Sequence, residues 1–436
     1  PKIPEFARNR DLPKDLASWL AYIERQHPQT IALGLERVER VRAAMGLVPA
    51  MPVITVAGTN GKGSTCAILE AVFAAAGYRV GLYSSPHLLR YNERVRIAGR
   101  EADDDALVSA FARVEAARTE KAGNTPLTYF EFGTLAAVDL FLRGAVDVLV
   151  LEVGMGGRLD AVNAFDADCA IVTSIGLDHM SYLGATREAI GHEKAGIFRA
   201  GKPAVLADPA PPASALAHAQ AIGARLLRMG HEFGYRDEGD QWLFWGPAGR
   251  RSGMPRPALR GSIQLQNASA AFAALDTLQQ RLPVSTQDLR RGLNEVELPG
   301  RFQVLPGRPT VVLDVGHNPE AAAVLADNLS AMGSCADTWA VFGMLRDKDV
   351  AGVVRLLMKC IDHWMVCTLP PPRGAQAADL AQVLQQAGVD AARTFENPVL
   401  AYAAACSAAA DNDRIVVFGS FHTVASVIAV LEQSKA

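Results

Sequence analysis

Two α/β units, each built on a mostly parallel sheet, are what this sequence predicts, and three observations predict them. Short β-branched runs alternate with Ala- and Leu-rich stretches of helical length. Several of those runs are apolar nearly throughout, as strands covered on both faces must be. The 436 residues, 50% of them hydrophobic, exceed what one typical core organises.

In chain order, 52–57 (PVITVA) reads as a strand running into a glycine-rich turn, and 62–76 as the helix after it, stopped by Gly77. Residues 79–84 form the next strand, 103–121 and 130–142 read as helices, 146–152 and 169–174 as covered strands, and 188–198 as a helix. Between 228 and 265 Gly, Pro, Trp and Arg interleave with short alternating runs, which predicts an antiparallel excursion. Helical patterns return at 267–281 and 285–296. Leu298-Pro299-Gly300 then breaks the chain, placing a boundary between a domain of 1–298 and one of 299–436. The second unit carries strands at 310–315, 338–343, 362–368 and 414–419, and closes with a helix at 423–433.

Bulk composition narrows the function classes. Lys and Arg total 43 against 46 Asp and Glu, a formal charge of −3, so no polyanion-binding surface and no nucleic-acid partner is expected. The six cysteines are scattered without a CxxC pair, as for buried thiols in a reducing compartment. No signal-peptide pattern opens the sequence and no apolar run is long enough for a bilayer. These features predict a cytoplasmic protein with no membrane association.

The segment Gly58-Thr59-Asn60-Gly61-Lys62-Gly63-Ser64 carries the first specific chemistry. A strand, a glycine-rich turn and a helix N-terminus together make an anion site, because free N–H groups and the positive helix end face the ligand while glycines allow close approach. Asn60, Gly61, Lys62 and Gly63 are thus expected to bind ATP, with Lys62 reaching its terminal phosphates and the Ser64 hydroxyl facing Mg²⁺. In the common form of this loop Ser or Thr follows the lysine directly; here Gly63 intervenes.

That variant resembles the loop of the Mur-ligase superfamily of ATP-dependent amide ligases. Further segments resemble its folylpolyglutamate synthase and dihydrofolate synthase branch: YSSPHL at 83–88, YNERV at 91–95, EVGMGGRLD at 152–160, TSIGLDH at 173–179, EKAGIF at 193–198, LPGRF at 298–302, DVGHNP at 314–319, GMLRDKD at 343–349 and GSFHT at 419–423. The match runs in order from about residue 15 to the C-terminus. Only 57 residues precede Gly58, too few for the nucleotide-sugar domain that muramyl ligases carry there, so that branch is not expected.

The resemblance implies a P-loop ATPase-like, mostly parallel N-terminal domain and a smaller Rossmann-like C-terminal one. It implies an enzyme that adds L-glutamate to dihydropteroate and to reduced folates through an acyl phosphate, using ATP and Mg²⁺, as a monomer acting on small molecules. A folylpolyglutamate synthase without the dihydropteroate activity is the alternative. Lys62, Glu152, His179 and Lys194 are the implied catalytic set. Ser64 and Ser85 are implied near one Mg²⁺, and Glu152 and His179 near another. Lys194 is implied to be carbamylated, which needs a neutral and therefore partly buried amine; otherwise it is a surface lysine paired with Glu193 or Glu188. Asn267, Arg301, Asp314 and His317 are implied contacts to ATP, Asp314 being alternatively the cap of the helix from Pro319.

The pterin is implied to lie against Ala32, Leu33, Gly34 and Leu35, against Thr128, Tyr129, Phe130 and Glu131, and against Leu159, Asp160 and Ala161. Phe130 suits stacking on a flat heterocycle and Glu131 hydrogen bonding to its ring nitrogens, although a core position for Phe130 is the alternative. Ala32 departs from the family pattern, in which Asp stands there. Lys348 and His422 are cations in family motifs and candidates for binding glutamate.

Overall fold

A computed structural model describes residues 12–29, 31–389 and 391–433; residues 1–11 and 434–436, at the outer ends of the two expected domains, lie outside it. The larger sheet has eight strands. In spatial order they are Arg100–Glu101, Val95–Ile97, Val80–Tyr83, Val148–Glu152, Val53–Ala57, Cys169–Val172, Pro203–Leu206 and Arg225–Arg228. All pairings are parallel except the two that attach Val95–Ile97 and Arg100–Glu101 at one edge. The central strand Val53–Ala57 is buried at every position, as its unbroken apolar run requires.

The helix Lys62–Ala75 follows that strand and fixes where the glycine loop sits. Helix Thr286–Glu295 packs so closely on it that a Cβ at Gly292 would stand 2.6 Å from the Val72 Cα, a distance no side chain tolerates. The Ala-rich helix Gln264–Leu278 packs beside it. The composition change after 228 is the expected antiparallel excursion: strands Gly234–Asp237, Gln241–Gly246 and Gly249–Pro255 make a separate sheet. Trp242 lies 5.4 Å from the Phe272 ring, and Arg251 pairs with Asp276 at 2.6 Å, so the excursion is fastened to the helix Gln264–Leu278.

The second sheet has the order Gln303–Leu305, Thr310–Asp314, Arg414–Phe418, Thr338–Phe342, His363–Cys367 and Ala392–Phe395, parallel except for its first pair. The α/β class expected for both units is what the structure has. Among the described residues no helix is long and apolar enough to cross a membrane.

Sequence patterns underspecified the N-terminal layer. Helices Leu16–Ile23 and Glu36–Met45 cover helices Asp104–Ala116 and Tyr129–Arg143, with the fully buried Trp19 ring 6.0 Å from Phe111 and 6.4 Å from Phe132. The helix expected at 103–121 changes pitch instead of continuing: after Ala116 it widens into a π-helical turn, Ala117–Lys121. That turn buries Arg118, which bonds Glu115, Asn124, Gln26, the Thr125 carbonyl and the Tyr22 hydroxyl. Removing one member of such a buried pair strands the other. Arg118→Ala should lower the urea-unfolding free energy by about 3–5 kcal/mol, with most of the loss recovered in Glu115→Leu/Arg118→Met.

Candidate active site

The carboxyl ends of both sheets open on one cleft of about 600 Å³. On the N-terminal side the glycine loop is built by two close approaches. Gly58, at φ 156°, sits where a Cβ would fall 1.8 Å from the Thr173 hydroxyl oxygen, and Gly61, at φ 84°, where one would fall 2.4 Å from Asn267 Oδ1. Asn60, Gly61, Lys62 and Gly63 line the cleft; Ser64 lies beneath them, buried in the first helical turn. Asn267 does not line the cleft but supports Gly61 from behind. Lys62 folds back so that its Nζ donates to the carbonyls of Gly58 at 3.0 Å and Thr59 at 3.3 Å.

Glu152 ends its strand fully enclosed. Burial pushes its carboxyl pKa up, opposed chiefly by the Lys62 charge, while the Ser85 N–H donates to Oε2 at 3.1 Å. The other oxygen, Oε1, would lie 3.8 Å from a Cβ at Gly63, and Arg301 Nη2 3.6 Å from it. The glycine inserted after Lys62 therefore leaves open the gap between Glu152 and Arg301, which a longer side chain would fill.

His179 is held at φ 52°, a strained conformation for a residue with a side chain, at the start of the short helix Met180–Leu183. Burial brings its pKa down to about 4, so at neutral pH its imidazole is uncharged despite Asp178 at 3.9 Å. Lys194 lines the same cleft at 3% exposure, its pKa pushed down to about 7 by burial and then by Lys62. The surface-lysine alternative fails: Glu193 pairs with Arg158, and Glu188 accepts from the backbone of Ala213 and Ser214.

The far wall comes from the second sheet. Arg301, His317, Lys348, Arg373 and His422 line it. Arg301 lies 5.1 Å over the Phe421 ring. His317, like His179, is held neutral at a pKa of about 4 by burial. Asp314 does not line the cleft and is not the helix cap; Asn318 caps Pro319–Ala331 by accepting from Ala321 N. Asp314 instead accepts from Phe302 N at 2.9 Å and Gly316 N at 2.7 Å, clamping the turn that carries Arg301.

The two walls touch at the loop itself. Asn60 exchanges side-chain hydrogen bonds with Asn318 at 3.0 and 3.3 Å and donates to Glu320 at 2.9 Å. Lys348 pairs with Asp178 at 2.6 Å; although burial opposes ionisation, His179 and Lys348 hold the Asp178 carboxyl well below its usual range.

At the other end of the cleft lies an aromatic wall. Tyr129 and Phe130 are half-buried, and Phe130 packs against Tyr83 at 5.6 Å and over Gly154, where a Cβ would come within 2.7 Å of its ring. Phe130 thus packs against the core with one side and lines the cleft with the other. Thr128 caps helix Tyr129–Arg143, and Glu131 returns the bond to Thr128 N. The Glu131 carboxylate is also taken by Arg37, at 2.9 and 3.3 Å, and Arg37 donates to the Ala32 carbonyl at 2.6 Å. Position 32 thus contributes its backbone, whatever its side chain. Ala32, Leu33, Leu159, Asp160 and Ala161 line this end. Gly34 is tied behind it to the Leu159 carbonyl at 3.2 Å, and Leu35 opens helix Glu36–Met45. Sequence reasoning missed Arg37, which lies outside every motif, and left Asp178 of TSIGLDH, Arg94 of YNERV and Arg373 without roles.

Known proteins with this architecture settle the family. Residues 56–275 match the model for the Mur ligase middle domain, and 300–421 that for the Mur ligase glutamate ligase domain. The chain is 46% identical over 421 residues to the dihydrofolate synthase/folylpolyglutamate synthase of Escherichia coli, covering 96% of each. It belongs to the dihydrofolate synthase/folylpolyglutamate synthase family of Mur ligases. E. coli FolC solved in complex with DHPP and ADP superposes with a TM-score of 0.92 at 45% identity, covering 97% of this chain and 99% of that one. A bifunctional folylpolyglutamate synthase/dihydrofolate synthase with Mn, AMPPNP and L-glutamate bound gives a TM-score of 0.89 at 45% identity, covering 96% and 98%.

Gly61 is where the expectation that the glycine loop binds ATP can be tested most sharply. Gly61→Ala forces a left-handed alanine against Asn267, costing about 1–2 kcal/mol. A fluorescent ATP analogue should bind roughly tenfold more weakly to the variant, whose thermal unfolding should fall by only a few degrees, as that strain requires.

Proposed function

We propose that the chain is an ATP-dependent ligase that joins L-glutamate to dihydropteroate, forming dihydrofolate, and to reduced folates, extending their glutamate tail. One observation carries the reading: a single cleft brings a phosphate loop, the enclosed Glu152 and an aromatic wall to face cations of the second sheet. The relatives' names and their DHPP-, nucleotide- and glutamate-bound structures support it.

The chemistry follows from what an amide bond demands. A carboxylate does not react with an amine in water, so its oxygen must first attack the ATP γ-phosphorus, ADP leaving, to give an acyl phosphate. The amine of glutamate then displaces phosphate. The protein's part is positioning and charge neutralisation in a site shut off from water. Lys62 and Arg301 would face the phosphates from opposite walls, with Asn60 at the join and His317 nearby. Tyr129, Phe130 and Glu131, with 32–35 and 159–161, would hold the pterin. Lys348 and His422 would take the carboxylates of glutamate.

Among the described residues no three His, Cys, Asp or Glu side chains converge as a closed metal cage. That fits Mg²⁺, which keeps water and phosphate oxygens as most of its ligands. Ser85, Glu152 and His179 would hold it, with Ser64 beneath the loop, and when bound it neutralises the charge gathering on the γ-phosphate. Lys194, enclosed and with a pKa near that of an amine neutral at physiological pH, is suited to carbamylation, which would turn a cation into an anion beside the metal.

Residues 1–298 and 299–436 would be the moving bodies, joined at a turn where Gly300 is at φ 71° and Phe302 at φ 44°. A cytoplasmic setting with no nucleic-acid partner is what the free cysteines and balanced charge favour, and the family resemblance favours a monomer.

Two measurements test these readings. ADP release with ATP present should require both glutamate and an acceptor, and either dihydropteroate or tetrahydrofolate should serve; turnover indifferent to both acceptors would exclude the ligase. Incubated with ¹³C-bicarbonate, the wild type should show a carbamate resonance that Lys194→Arg lacks. Its intensity should fall as pH drops below about 7, because a protonated amine cannot attack CO₂.

A further inference from the structure

The turn Tyr91–Arg94 is conspicuous in the sequence, and three of its side chains have plain structural tasks. Glu93 accepts from the backbone of Leu88, Leu89 and Arg90, each at 2.7 Å, and so shapes the loop that carries Ser85. Asn92 donates to the Ala102 carbonyl and to Asp104, both at 2.8 Å. Tyr91 is buried edge-on against Phe111 and Tyr129.

Arg94 is different. It lines the cleft, and among the described residues it forms no ion pair with a carboxylate. Its Nε donates to His87 Nδ1 at 2.8 Å. Its guanidinium carbon lies 5.4 Å from the Tyr91 ring centre and 5.5 Å from that of Tyr129. A guanidinium so held by its Nε and two rings has little freedom left to lose, and its terminal amino groups form a fork that matches a carboxylate. Its place matters as much. It touches the aromatic wall through Tyr129, its charge reaches Glu152, and His87 stands on the loop whose Ser85 N–H bonds Glu152.

Resting on the ligase reading, we propose that Arg94, oriented by His87, binds the carboxylate of the acceptor: the aryl carboxylate of a pteroate, or the terminal carboxylate of a folate. A pterin against Phe130 would send its carboxylate along the cleft toward Glu152 and the phosphate loop, and Arg94 lines that same cleft beside Tyr129. One carboxylate oxygen attacks the γ-phosphorus, the new O–P bond forms as the bond to the β,γ-bridging oxygen breaks, and ADP leaves with that electron pair. No proton moves. The guanidinium holds the second oxygen throughout, so the reacting one is aimed rather than merely near.

The test separates a carboxylate clamp from a prop for Tyr91 and Tyr129. Binding of dihydropteroate and of its carboxamide, which keeps the pterin and loses the charge, is measured by calorimetry for wild type, Arg94→Met and Arg94→Lys, with ADP as control ligand. A charge-assisted pair of this kind is worth roughly 10- to 100-fold in affinity. The wild type should prefer the carboxylate, Arg94→Met should lose at least tenfold of that preference, and carboxamide and ADP should bind all three alike. Arg94→Lys keeps the charge without the fork; its preference should fall between the two, and it serves if Arg94→Met does not fold. Equal weakening of both pterins would make Arg94 a prop, and an unchanged preference would leave it no role; either overturns the proposal. A wild type that binds neither pterin removes the ligase reading and this proposal with it.

Discussion

Asn60 stands at the tip of the glycine loop, and its side chain reaches across to Asn318 and Glu320 of the other sheet. Parallel sheets gather ligand sites at their carboxyl ends, but a single sheet offers only one wall. Here two sheets present those ends to each other, and the contacts that join them are made by Asn60 of the glycine loop with Asn318 and Glu320. Asp178 and Lys348 add a second join beside His179. The glycine loop is thus assembled together with the opposite wall, and Arg301 can stand within reach of Gly63 only while the walls meet.

Enclosure sets the electrostatics. Glu152 is buried and Lys62 and Arg301 are half-buried beside it, and desolvation disfavours the charged form of each, while Glu152 and Lys62 partly compensate one another. A site of this kind is strained when empty and eased by a polyanion with its counter-ion, which is what a nucleotide and a divalent metal supply. Lys194 belongs to the same balance: crowded by Lys62 and shut from water, it is easier to keep as a neutral amine or an anion than as a second cation.

Much of this was legible in the sequence because it is local. Strands covered on both faces, the glycine loop and helix stops are written in runs of ten residues or fewer, and the eight strands expected by pattern all exist. What stayed hidden was tertiary. The strands Pro203–Leu206 and Arg225–Arg228 are short and carry no alternation, and the N-terminal helices matter through Arg37 and Arg118, whose partners are Glu131, 94 residues away, and Gln26, 92 residues away. The role of Asp314 illustrates the limit. An acid at a strand end suggests a helix cap, yet Asn318, four residues on, has the geometry for it, leaving Asp314 to clamp the turn around Phe302.

The account stands on the acceptor carboxylate becoming an acyl phosphate between these two walls. Dihydropteroate labelled with ¹⁸O in its carboxylate measures this directly, when it is turned over with ATP and glutamate and the released phosphate is analysed by mass spectrometry. The account predicts one ¹⁸O atom in the phosphate for each amide formed, because the oxygen that attacked phosphorus leaves with it. Amide formation with unlabelled phosphate would contradict it.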